Sequence, residues 1–143
     1  MHLIQRMAAP SSSRPAQQQV RLIAERRLFL KRRWRATAED GTEFGFDLES
    51  RLISGCVIHQ SETHDYVIWQ QSEPVYSIPF SNPEQAALIG WRIGNLHFPV
   101  QILSDRLLVT TDLAIKQLIE RENWPHEETE AVFTPLRVIA HAA

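Results

Sequence analysis

Cysteine is almost absent from this sequence: Cys56 stands alone among 143 residues, so the chain can form no internal disulfide and carries no Cys-x-x-Cys pair. Glycine is sparse too, with five residues, and none of them builds a phosphate-cradling loop or a Gly-x-Ser-x-Gly nucleophile elbow. No apolar run approaches the roughly 18 residues a membrane-spanning helix needs. An excess of one charge is also missing. Fifteen Lys and Arg against 17 Asp and Glu leave a formal charge of −2, which argues against general attraction to nucleic acid or an anionic membrane. The opening MHLIQRMAAP has too short an apolar run for a signal peptide, and with a single thiol it leads us to expect a reducing, cytoplasmic location. What is present is an ordinary hydrophobic content of 43%, enough to bury a core in one compact domain or two small ones.

The first half reads as β structure. HLIQRM is a short strand candidate, and MAAPSSSRPAQQQ has the Pro/Ser/Gln composition of an exposed loop that buries too little to order itself. The run from Arg21 to Phe44 is ambiguous until Asp40-Gly41, which signals a hairpin because both residues accept the positive φ of a tight turn. FGFDLESRLISGCVIHQ and DYVIWQQSEPVYSIPF continue the short strands, a spacing that suggests a small sandwich or barrel. Past residue 76 the pattern changes. Asn82 is placed to cap a helix with Pro83 at its first position, Glu84 in its first turn and Gly94-Asn95 as its stop. Ala86, Ile89, Gly90 and Ile93 form its buried stripe, with His97 at its end. FPVQIL and RLLVTT, split by Ser104-Asp105, read as a hairpin. TDLAIKQLIERENW, capped by Thr110 or Thr111, reads as a second helix with Ile115, Leu118 and Ile119 inward, and EETEAVFTPLRVI as a last strand. The order is βαββαβ, that of the ferredoxin-like split βαβ fold. The expected class is therefore α+β: a small N-terminal all-β domain over residues 1–75, then a ferredoxin-like domain over 76–143 with a short C-terminal tail.

Chemistry-bearing patterns are few. The six histidines, His2, His59, His64, His97, His126 and His141, show no i, i+4 or His-x-His pairing of a self-contained metal site. Asp105 and Asp112 suit turn and capping duties. Arg26, Arg27, Lys31, Arg32, Arg33 and Arg35 surround Trp34; they read as a charged face guarding an edge strand or as a patch for an acidic partner. With no nucleophile, base pair or cofactor loop, an enzyme is not expected.

IGNLHFPVQI resembles the Gly-Asn-Arg-His-x-Pro stretch of the UreE family of urease accessory proteins, which are nickel metallochaperones. HLIQRM, the Arg-rich strand before Asp40-Gly41, DLESRLISGCVI and AVFTPLR are similar to the corresponding family segments, so the resemblance covers nearly the whole chain. It implies an N-terminal domain of the peptide-binding type, a C-terminal metal-binding domain and a homodimer that brings His97 of each subunit to one Ni²⁺ on the two-fold axis. Zn²⁺ and Cu²⁺ also suit imidazole. His141 is the candidate tail ligand. The implied partners are the urease apoenzyme and accessory proteins including the UreG GTPase, with no nucleic acid and no membrane. Leu96 departs from the family pattern by replacing the Arg before the histidine. Thr111 and Leu113 stand where some members carry further histidines, and RVIAHAA replaces a histidine-rich tail. About one Ni²⁺ per dimer is the expectation. Cys56 reads as a buried structural thiol. A metal-independent structural or peptide-binding adaptor of the same descent is the alternative.

Overall fold

The computed structural model describes residues 1–137, and the chain divides into two compact units, the first Met1–Gln71 and the second beginning at Ser72. The chain is α+β, with ten strands and three helices among the described residues.

The first unit holds two three-stranded sheets. In one, β1 (His2–Ile4) runs parallel to β4 (Glu43–Asp47), which pairs antiparallel with β3 (Arg33–Thr37). In the other, β2 (Gln19–Ala24) runs parallel to β6 (Asp65–Gln70), which pairs antiparallel with β5 (Val57–Gln60). A single helical turn, α1 (Arg26–Phe29), lies inside the run that the sequence left ambiguous. Asp40-Gly41 forms the β3–β4 turn as expected: Gly41 has φ +88°, and the Asp40 carboxylate accepts from the Thr42 N–H at 3.0 Å. Between the sheets lies a core that includes Leu22, Phe44, Phe46, Cys56 and Ile68.

The Pro/Ser/Gln segment after β1 is more tightly held than its composition predicts. Ala8 N–H donates to the Val57 carbonyl at 2.7 Å, and Val57 N–H returns a bond to Ala9 at 2.9 Å. Further along, the Ser12 hydroxyl donates to Asp65 at 2.7 Å and Arg14 Nε sits 3.0 Å from the same carboxylate, which is only 2% exposed. A buried carboxylate needs such partners, so Asp65 recruits the loop.

The second unit follows the order β7 (Glu73–Pro79), α2 (Pro83–Asn95), β8 (Val100–Ile102), β9 (Arg106–Thr110), α3 (Leu113–Glu122), β10 (Glu127–Ala131). Its strands form one antiparallel sheet in the order β10-β7-β9-β8. Alternation along the strands sorts their side chains between two faces. Tyr76, Ile78, Leu107 and Val109 pack with Ile89 and Ile93 of α2 and with Ile115, Leu118 and Ile119 of α3, while Val75 and Leu108 pack with Phe133. Asp112, not Thr110 or Thr111, occupies the cap position of α3, and its side chain makes no capping bond but accepts from the Thr110 hydroxyl.

Candidate functional site

Helix α2 begins as its sequence dictates. The Asn82 side chain accepts from Gln85 N–H at 2.9 Å, the Gln85 side chain accepts from Ser81 N–H at 2.7 Å, and Pro83 occupies the first turn, where its missing N–H costs nothing. Its end differs from the expected one. Gly94 and Asn95 remain helical, and the residue that adopts the left-handed conformation is His97, with φ +62°. Leu96 N–H bonds to the Ile93 carbonyl at 3.0 Å and His97 N–H to the Gly94 carbonyl at 2.9 Å, while Phe98 packs on the cluster that contains Ile93. This bond from the left-handed residue, with an apolar contact just beyond it, is the geometry of a Schellman ending. The ending is fixed where Phe98 can reach the core, three residues past the glycine.

His97 is exposed, and apolar side chains surround it in the sequence: Leu88 and Trp91, one turn apart on α2, are 46% and 59% exposed, and Leu96 is 38% exposed. Ion pairing fixes the neighbouring surface, with Arg92 Nε 3.5 Å from a Glu122 carboxylate oxygen on α3 and its guanidinium 5.6 Å from the centre of the Trp91 ring. The sequence reading followed the buried stripe of α2 and missed Leu88 and Trp91. Their i, i+3 spacing on the opposite side was the available signal.

Past β10 the chain returns across the sheet. Phe133 is fully buried with Val75 and Leu108, Thr134 N–H donates to the Gln101 side chain at 2.9 Å, and Leu136 N–H donates to the Val100 carbonyl at 2.9 Å. The chain is thereby led to the strand that starts three residues after His97. His141 lies outside the described residues.

The remaining histidines are spread through the fold. His64 contacts the Thr63 hydroxyl at 2.7 Å, His126 contacts the Trp124 carbonyl at 3.1 Å, and His2 and His59 lie against each other in the first unit. Among the described residues no three His, Cys, Asp or Glu side chains gather as a potential metal cage. Thr111 and the exposed Leu113 add no metal-binding group near α3. In the basic run, Arg32 and Arg33 both pair with Asp47, at 3.1 and 3.3 Å, and Trp34 stacks on Phe46 at 4.0 Å, so this run protects the edge strand β3. Cys56 is fully buried and its thiol pKa is pushed up by burial.

Two α+β units and one imidazole displayed beside apolar side chains define a small binding protein. Residues 73–143 match the family model described as the UreE urease accessory protein, C-terminal domain. The chain is 30% identical over 108 residues to urease accessory protein UreE 1 of Brucella suis biovar 1, covering 74% of this chain and 67% of that one. It is also similar to the UreE proteins of a Chelativorans species (28% over 109 residues, 73% and 68% covered) and of Brucella anthropi (38% over 66 residues, 46% and 39% covered). The chain belongs to the UreE family of urease accessory proteins. Its role is accordingly accessory to urease, and it is not an enzyme. No described helix is long and apolar enough to cross a membrane.

Proposed function

We propose that this protein is a nickel metallochaperone that binds Ni²⁺ between two copies of its C-terminal unit and delivers it for assembly of the urease active site. The observation that carries this reading is the placement of His97: an exposed imidazole at the end of α2, held in a left-handed conformation and next to exposed Leu96, with Leu88 and Trp91 unburied on the same helix. A lone imidazole is a poor ligand set. Two-fold symmetry would supply the second, and an exposed apolar helix face is what a homodimer interface would cover.

On this reading the second unit is a ferredoxin-like domain, which its βαββαβ order and β10-β7-β9-β8 sheet support. The N-terminal unit is of the peptide-binding type. The tail then brings His141 within reach: five residues beyond Leu136 span at most about 18 Å when extended. Two imidazoles leave coordination positions open to water or to the tail, which suits a carrier that must release its cargo to the urease apoenzyme or the UreG GTPase. Such handover belongs in the cytoplasm. Imidazole alone would favour Cu²⁺ over Ni²⁺, with Zn²⁺ also accepted, so cellular metal supply contributes to selectivity.

Calorimetric titration of Ni²⁺ into the protein and its His97→Ala variant, with molar mass followed by light scattering, tests the reading. About half an equivalent per chain, lost in the variant while the dimer persists, is the expected result for a two-fold site. Unchanged binding in the variant would remove His97 from the site. Absence of binding in both proteins would favour the adaptor alternative, which the exposed Ile23, Ile53 and Trp69 of the first unit support.

A further inference from the structure

We propose that His2 and His59 form a second divalent-cation site, on the N-terminal unit and independent of His97. These residues are 57 positions apart in sequence and come together only through the fold. His2 lies on β1, an edge strand of one sheet, and His59 on β5, an edge strand of the other. Their ring centroids are 4.2 Å apart, with the planes tilted by 32°. Both rings rest on Phe44, at 5.5 and 5.9 Å, and Tyr66 stands 5.7 Å from His59. The floor is rigid. Phe44 is fully buried, and the Tyr66 hydroxyl donates to Asp40 at 2.8 Å and contacts the Thr42 hydroxyl at 3.2 Å.

The spacing fits shared coordination. With a metal–nitrogen bond of about 2.0–2.1 Å, each ring centre stands about 3.2 Å from the ion, and two rings at right angles in a square-planar or octahedral shell have centres about 4.5 Å apart. The observed 4.2 Å needs a shift of only a few tenths of an ångström. Coordination requires neutral imidazole. Burial, and then the charge of His2, lower the pKa of His59 and favour that form. Because two rings fill only part of the shell, water completes it and the ion exchanges readily. A cation held here would also tie the edges of the two sheets together.

The probe is Ni²⁺ alone, titrated at pH 7.5 into a protein carrying His97→Ala and His141→Ala and followed by NMR and by thermal melting. The expected result is selective broadening of amides in His2–Ile4 and Val57–Gln60 and a rise in melting temperature, with affinity falling at least tenfold in His59→Gln. Should that variant unfold, the unaltered pair provides the same information: lowering the pH to 5.5 should weaken binding at least tenfold, reversibly. Broadening confined to other regions, or affinity unchanged in a folded His59→Gln protein, would overturn the assignment and leave the pair as an aromatic contact closing the seam. Because His97 is absent throughout, failure of its site does not affect this test.

Discussion

His97 combines a side chain suited to metal with a backbone conformation that L-residues avoid. At φ +62° its Cβ crowds the backbone, a cost of about 1–2 kcal/mol for most residues that glycine escapes. His97→Gly is therefore expected to be more stable than His97→Ala by about 1 kcal/mol, measured by urea denaturation, although both lose the imidazole. Equal stabilities would show that the left-handed turn carries no strain. Cys56 poses a simpler test: fully buried, with burial pushing its thiol pKa up, it should resist a thiol reagent in native protein and react stoichiometrically once unfolded. Rapid native-state reaction would place it at a site that opens locally.

Among the elements, the segment between β1 and β2 depends on one buried carboxylate. Replacing Asp65 with Ala removes the acceptor for Ser12 and the counter-ion of Arg14, and should lower stability by about 2–4 kcal/mol. Proteolysis should then begin within residues 8–18, whereas resistance there would mean that the Val57 bridge alone holds the segment. The helix ends illustrate a related point. Asn82-Pro83 starts α2 through local hydrogen bonding and needs no distant partner, so it was legible in the sequence. Gly94-Asn95 was misread as a stop because the ending depends on Phe98 reaching the core around Ile93, a contact that a local propensity for glycine does not encode. Asn123, by contrast, ends α3 in the left-handed conformation at φ +55°, as its residue type permits.

For the protein as a whole, the proposed function depends on association. Trp91 is 59% exposed on the helix that leads to His97, and aromatic anchors dominate interfaces of this kind. Trp91→Glu should weaken the proposed dimer by about 2 kcal/mol or more, roughly thirtyfold, and Ni²⁺ affinity should fall with it. Light scattering over a dilution series reads the first effect and calorimetry the second. Intact dimer with full Ni²⁺ binding would place the interface on another face.

Local patterning in the chain was enough to specify most of the strands and their alternation, the Asp40-Gly41 turn, the start of α2, the inward faces of both long helices and the βαββαβ order of the second unit. These depend on neighbours a few residues apart, and periodicity records them directly. The motif around His97 marked the candidate site, because a histidine between a Gly-Asn pair and a proline is visible without coordinates. Folding in three dimensions was needed to reveal that His97 itself takes the left-handed turn, that the chain past Phe133 is pinned to the strand after His97, that Asp65 orders a loop fifty residues before it, and that His2 lies against His59. All four have the same origin. Each is a contact between residues distant in sequence, or the consequence of packing against the core, and its energy exists only once the core has brought those residues together.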